Sequence, residues 1–223
     1  MNVLKNTTAL ALAMCLQYAE PEGTAVDATC GNGHDTLWLS EHFAKVYGFD
    51  IQKSAIETTQ ARLDEAGIEN VQLIHDSHAK MADYIKERPR VIVFNLGYLP
   101  GGDKSISTES GSTLEALAAA LKMLDVDGLL CITMYQGHCE GYLERLKVLD
   151  WAKSLDKGLY HCIRTDMVNQ PNRPPEVLWI TKKAIWHTGS TTYCVQRTYQ
   201  RGTGIYATGP AIPGHKRSAC TKR

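Results

Sequence analysis

Apolar positions along the chain alternate between short continuous runs and longer stretches of helical spacing. Thr24 to Val26, Lys45 to Phe49, Val71 to His75, Arg90 to Phe94 and Leu129 to Tyr135 are runs of strand length. Val91-Ile92-Val93-Phe94 has no polar break, as a strand covered on both faces should read. Helices are predicted between these runs, near 34–43, 52–66, 79–87, 112–124 and 139–154. A leading helix is predicted within Val3 to Ala19, with Leu4, Leu10, Ala11, Met14, Cys15 and Tyr18 near helical spacing; Glu20-Pro21-Glu22-Gly23 stops it. Ser112 and Glu115 have the spacing of a capping box that would open the helix at 112–124. Asp125-Val126-Asp127-Gly128 predicts a tight turn, and Leu159 to Val168 and Glu176 to Thr181 read as two closing strands. Strands alternating with helices predict an α/β chain with a mostly parallel sheet and helices on both faces.

The first strand leads into the most informative segment, Asp27-Ala28-Thr29-Cys30-Gly31-Asn32-Gly33-His34-Asp35-Thr36. A strand, a glycine turn and a helix start form the place where an open α/β sheet binds a nucleotide-like ligand. A dinucleotide site wants G-x-G-x-x-G with phosphate on the helix N-terminus, but Thr36 stands at the third glycine position. Asp27 would also place negative charge near a pyrophosphate. A carboxylate suits a cation better, and S-adenosylmethionine carries a sulfonium and an α-ammonium but no phosphate. An ordinary βα turn without ligand is the plainer reading of a lone glycine pair.

Later segments decide between them. The second strand ends in Asp50, which can accept both ribose hydroxyls of an adenosine or cap the helix from Gln52 onward. The third strand is followed by Asp76-Ser77-His78, and the fourth runs into Asn95-Leu96-Gly97-Tyr98. Asn95-Leu96-Gly97-Tyr98 resembles a motif of amine-methylating class I methyltransferases, which implies an amine held with its lone pair in line with a sulfonium methyl, so that the work is largely positioning. An amide at Asn95 and the carbonyl of Leu96 can hold the amine hydrogens, and Tyr98 can flank a planar base. As ordinary residues, Asn95 would end a strand and Tyr98 would be a half-buried loop aromatic.

The spacing D-x-x-x-G-x-G resembles the first motif of class I methyltransferases, with Thr29 where those enzymes carry one more glycine. Asn95-Leu96-Gly97-Tyr98 resembles their fourth motif, Asp/Asn-Pro-Pro-Tyr/Phe, with the two prolines replaced. Together with the proline-rich stretch Met167 to Pro175, these segments resemble the small bacterial methyltransferases known as rRNA methylases, over about residues 1–183. Members of that family methylate 5-aminomethyl-2-thiouridine at the tRNA wobble position. The resemblance implies a Rossmann-like seven-stranded sheet of order 3-2-1-4-5-7-6, its last strand antiparallel, and S-adenosylmethionine as cofactor. It implies Asp27, Thr29, Gly31, Asn32, Gly33, Asp35, Asp50, Gln52, Asp76, Ser77, His78 and Asn95 around that cofactor. Asn95, Leu96 and Tyr98 would carry the transfer. Tyr98, Lys104, Tyr135, His138, Asn169 and Arg173 would meet the substrate, a tRNA anticodon stem-loop. An rRNA base or a small-molecule amine is the alternative acceptor. A degenerate nucleotide-binding module and a nicotinamide oxidoreductase are the rivals of other classes; the acidic strand ends speak against the first and Thr36 against the second.

Charge adds one constraint. The chain balances 24 basic against 24 acidic side chains, yet residues 184–223 hold six basic residues and no acid. Residues 1–183 therefore carry 18 basic and 24 acidic side chains, so RNA binding would depend on a local patch. The segment 184–223 reads as a poorly ordered basic tail appended to a methyltransferase domain at 1–183. Seven cysteines without a C-x-x-C pair and the lack of a signal-like start or membrane-length apolar run predict a reduced, cytoplasmic setting without a membrane. No metal is expected, because the eight histidines show no metal-ligand spacing. A homodimer is left open.

Overall fold

A computed structural model describes residues 6–97, 110–137, 139–171, 173–188, 191–195, 197–198 and 206–207. The predicted leading helix is α1 (Thr7–Leu16), whose Asn6 side chain accepts the Ala9 N–H and so caps its first turn. Then follow β1 (Thr24–Asp27), α2 (His34–Ser40), β2 (Lys45–Asp50), α3 (Lys53–Glu65) and β3 (Val71–His75). A 3-10 turn (His78–Lys80) and α4 (Met81–Tyr84) precede β4 (Val91–Leu96). The remaining elements of the main body are α5 (Ser110–Met123), β5 (Leu129–Met134), α6 (Cys139–Ser154), β6 (Tyr160–Thr165) and β7 (Glu176–Lys182).

These seven strands form one sheet of order β3-β2-β1-β4-β5-β7-β6. β7 runs antiparallel between β5 and β6; the neighbouring pairs from β3 to β5 are parallel. This is the class I methyltransferase order that the sequence motifs implied. Alternate residues of the central strands enter opposite cores. Ile92 and Phe94 of β4 and Leu130 and Ile132 of β5 pack with Leu117, Leu121 and Val148 from α5 and α6. Val91, Val93, Leu129 and Cys131 pack on the other face with Ala11, Cys15 and Leu39 from α1 and α2. Both faces are covered, which explains why β4 and β5 read as continuous apolar runs.

The base of the sheet is fastened by Arg90, whose side chain is only 7% exposed. Its guanidinium pairs with Glu20 at 3.1 Å and Asp125 at 3.4 Å and donates to the Val126 carbonyl at 2.7 Å. The loop after α1, the start of β4 and the turn into β5 thus share one cation.

Two helices depart from the sequence prediction. The helix predicted at 79–87 shrinks to a 3-10 turn and the single turn of α4, because Ser77 caps at His78 and the chain is extended by Ile85, ahead of Pro89. α5 begins at Ser110, so Ser112 lies inside it and cannot be its cap; the neighbouring Thr113 instead donates its hydroxyl to Glu144 of α6 at 2.7 Å. Beyond the sheet, β8 (Ala184–Thr188) pairs antiparallel with β9 (Thr191–Val195), and β10 (Arg197–Thr198) with β11 (Tyr206–Ala207). No helix among the described residues is long and apolar enough to cross a membrane.

Candidate functional site

The site lies at the C-terminal ends of β1, β2 and β4, and the glycine turn after β1 is its floor. Gly31 and Gly33 have φ of 52° and 77°, a left-handed backbone that side chains disfavour. Three bonds from two elements, β2 and α3, hold the turn. Gly31 N–H donates to Asp50 Oδ2 at 2.9 Å, the Thr59 hydroxyl donates to the Gly31 carbonyl at 3.1 Å, and Arg62 Nε donates to the Asn32 carbonyl at 2.8 Å. Asp50 also accepts the Gln52 N–H at 2.9 Å through Oδ1. One carboxylate therefore joins the turn after β1 to the start of α3, and each oxygen retains a lone pair for a further donor. Asp50→Ala is expected to weaken S-adenosylmethionine binding by about 1.5–3 kcal/mol, the range for hydrogen bonds to a charged group. Titration calorimetry on the folded variant checks this, and unchanged affinity removes Asp50 from the site.

Asp27 does not face solvent. It is 1% exposed, accepts the Thr36 hydroxyl at 2.7 Å and takes the Thr29 N–H at 3.2 Å. Thr36, read in the sequence only as a missing glycine, is the partner that makes this buried carboxylate tolerable. Burial first, then the neighbouring Asp35, pushes the Asp27 carboxyl up to about 7. Burial likewise raises Asp35, against the lowering effect of its bond to Asn95. Such a cluster prefers protons when empty and a cation when filled. Because the folded pKa lies above the ordinary value of 3.8, the Asp27 proton is held until the pH approaches 7. Binding a cation favours the ionised form and releases that proton. Affinity for S-adenosylmethionine is therefore expected to rise between pH 6 and 8, by up to about tenfold per unit below 7. Asp27→Asn should flatten the rise, and SAH, which lacks the sulfonium charge, should show a smaller one. A pH-independent affinity in the wild type would exclude the coupling.

Asn95 sits opposite this cluster. Its backbone N–H donates to the Thr29 hydroxyl at 2.7 Å, and its Nδ2 donates to Asp35 Oδ2 at 2.8 Å. The bond to Asp35 fixes the amide orientation and assigns Oδ1 as the end that can accept. The Leu96 carbonyl accepts the Tyr135 N–H at 2.9 Å, so one of its two lone pairs is spent on extending the β4–β5 ladder. Gly97 follows with the Tyr135 ring against it; a Cβ there would lie 3.1 Å from Tyr135 Cβ.

His78 closes the far side. Its Nδ1 bonds the Ala28 carbonyl at 3.1 Å, so Nδ1 carries the proton, and Nε2 is buried with no partner among the described residues. Burial lowers its pKa, which keeps it neutral. Asp76 is committed locally, to Lys80 at 2.9 Å, the Tyr84 hydroxyl at 2.8 Å and the Ser77 N–H at 2.7 Å. Its carboxyl is lowered to about 2, chiefly by Lys80.

The fold thus brings together Asp27, Thr29, Gly31, Asn32, Gly33, Asp35, Asp50, Gln52, His78 and Asn95, with Asp76 and Ser77 after the neighbouring strand β3. Tyr135 follows β5 on the same rim, 39% exposed. Arg173 lines a separate cavity beyond β5, and Asn169 is exposed in the same connection. Tyr98, Lys104 and His138 lie outside the described residues. Sequence reasoning missed Thr36, Thr59 and Arg62, which support the turn; their types carry no signal without the fold. Among the described residues no group of three His, Cys, Asp or Glu is arranged to hold a metal.

The carboxylate cluster and the orphaned His78 Nε2 fit a cationic adenosine ligand such as S-adenosylmethionine. Comparisons with known proteins agree. Residues 46–181 match the family described as "Putative rRNA methylase". Over 185 residues the chain is 40% identical to the Arabidopsis thaliana "tRNA (mnm(5)s(2)U34)-methyltransferase, chloroplastic", covering 76% of this chain and 67% of that protein. The "putative rRNA-methylase" from Clostridium thermocellum superposes with a TM-score of 0.78 at 38% identity, covering 80% of this chain and 98% of its own. A "putative methyltransferase" from Streptococcus mutans, solved in complex with SAH, gives 0.75 at 38% identity with the same coverage.

Proposed function

The chain belongs to the "Putative rRNA methylase" family of S-adenosylmethionine-dependent methyltransferases, and we propose that it methylates the exocyclic amine of 5-aminomethyl-2-thiouridine at the tRNA wobble position. The observation that carries this reading is Asn95 at the end of β4, anchored to Asp35 beside the acidic cluster. An amide fixed in that way presents an acceptor to the hydrogens of an amine. The name of the Arabidopsis relative supports the choice of acceptor.

S-adenosylmethionine, when bound, supplies a methyl on a sulfonium, an electrophile that needs an unprotonated amine in line with it. In this reading Asn95 Oδ1 and the free lone pair of the Leu96 carbonyl hold the amine hydrogens, and Tyr98 flanks the base. The carboxylates of Asp27 and Asp35 favour positive charge at the floor of the site, and Asp50 takes hydroxyls of the ribose. The amine loses its proton to water before attack, so no strong base is required. Residues 1–183 carry all of these groups and form the methyltransferase domain; the basic residues after them contribute no catalytic group.

The test is mass analysis of nucleosides after incubating enzyme and S-adenosylmethionine with tRNA bearing 5-aminomethyl-2-thiouridine. Conversion to the methylaminomethyl nucleoside is expected. Failure on that tRNA with conversion of rRNA or of a free amine would move the activity to the alternative acceptor.

A further inference from the structure

A second cavity of about 490 Å³ opens on the same rim, beyond β5. Its walls include Gln136 after β5, Tyr142 and Arg145 from α6, Val168 and Arg173 from the β6–β7 connection, and Glu176 at the start of β7. We propose that this cavity binds a single-stranded nucleotide of the RNA substrate adjacent to the one methylated, with Tyr142 and Arg173 as its stacking platform and phosphate contact. The inference rests on the RNA reading above.

Four observations support it. The cavity, though separate, is linked to the site through hydrogen bonds along the chain. Tyr135 N–H bonds the Leu96 carbonyl, and the next residue, Gln136, donates to the Pro174 carbonyl at 2.9 Å. Two strand spacings, about 10 Å, separate β4 from β7, close enough for one RNA segment to reach both. The wall is also internally bonded and closely packed. Arg145 grips Glu176 with two bonds of 2.7 and 2.9 Å, a fork that neutralises the one buried carboxylate of the wall. Gly141 lets α6 approach the Tyr135 carbonyl so closely that any side chain there would collide with it.

Arg173, in contrast, makes no ion pair among the described residues, and its guanidinium lies 5.5 Å over the Tyr142 ring. Its backbone has φ of 49°, a left-handed conformation that non-glycine residues seldom adopt, and the residue lines the cavity. The fourth observation is surface chemistry. Tyr142 is 37% and Val168 93% exposed beside that cation. An aromatic ring, an apolar contact and a planar guanidinium together are how unstacked bases are held in single-stranded RNA. The remaining acid of the wall, Asp166, is drawn toward Arg164 at 3.7 Å.

The experiment measures binding of an anticodon stem-loop RNA by fluorescence anisotropy at several salt concentrations, with SAH present, for the full chain and for Arg173→Ala, Tyr142→Ala and Tyr142→Phe. Circular dichroism and SAH affinity confirm that each variant folds. Tyr142→Ala is expected to weaken RNA binding at least about fivefold with an unchanged salt slope, and Tyr142→Phe to restore it. Arg173→Ala is expected to weaken binding and to lower the salt slope by about one. Wild-type affinity in both alanine variants would overturn the inference. Methylation of aminomethyl-uridine tRNA by the wild type is scored separately. A wild type that methylates, with variants that bind normally, defeats only the second site. A wild type that binds RNA through Tyr142 and Arg173 without methylating that nucleoside defeats only the wobble-uridine reading.

Discussion

Asn95→Ala is expected to slow methyl transfer in single-turnover assays by roughly 100-fold or more, while affinity for SAH shifts by less than about threefold. The difference follows from where the side chain is fastened. Asn95 reaches the glycine turn through its own backbone N–H, which the substitution keeps, and only the amide is lost. In the proposed reading, losing the amide removes an acceptor for the amine; it also leaves Asp35 Oδ2 without its 2.8 Å donor. Asp35→Ala provides the complementary variant. It preserves the Asn95 amide but frees its rotation, so kcat should fall by a smaller factor than in Asn95→Ala. A near-normal rate in Asn95→Ala would reduce Asn95 to a residue that ends a strand.

Gly33→Ala should be the most damaging single methyl group in the site. At φ of 77° a Cβ would stand 2.8 Å from Thr59 Oγ1 and 3.0 Å from Thr59 Cα. The hydroxyl could rotate away, but the backbone of α3 could not. The left-handed backbone costs about 1–2 kcal/mol and the overlap a further 1–3 kcal/mol. Relief requires α3 to retreat from the turn, which would pull Thr59 from the Gly31 carbonyl and Arg62 from the Asn32 carbonyl. Lower stability in urea and loss of measurable SAH binding are both expected. Alanine at Gly67, also left-handed at φ of 66° but with nothing within 4 Å, should cost stability alone and serves as the control.

Local pattern was enough to read the sheet, the glycine turn and the acidic strand ends. Each is encoded within a few residues: Val91 to Phe94 by an unbroken apolar run, the turn by Gly31 and Gly33, the acidic strand end by Asp50 at the close of β2. Contacts that cross the sheet were not legible. Asp35 meets Asn95 across 60 residues and Thr36 meets Asp27 from the far side of the turn. In the sequence, Asp35 was one more acid near a cofactor, and nothing marked it as the anchor of the amide. Thr36 counted only against a dinucleotide, although its hydroxyl is what lets Asp27 stay buried. The misplaced start of α5 has the same origin: Ser112 and Glu115 have the right spacing, but helical geometry already holds from Ser110.

Arg90 lies at the opposite end of β4 from Asn95, five residues or about 16 Å away. Removing the guanidinium that serves Glu20, Asp125 and the Val126 carbonyl would cost about 1.5–3 kcal/mol, a sizeable part of a typical domain's stability. Asp27, Asp35 and Asn95 are not among the side-chain partners of Arg90 in the described residues. Substitutions at Arg90 would therefore reduce the number of surviving molecules rather than the turnover of each one. A genetic screen that scores modified product per cell would class such alleles with true active-site lesions. Raising expression or lowering growth temperature should rescue the Arg90 alleles and leave those at Asn95 inactive.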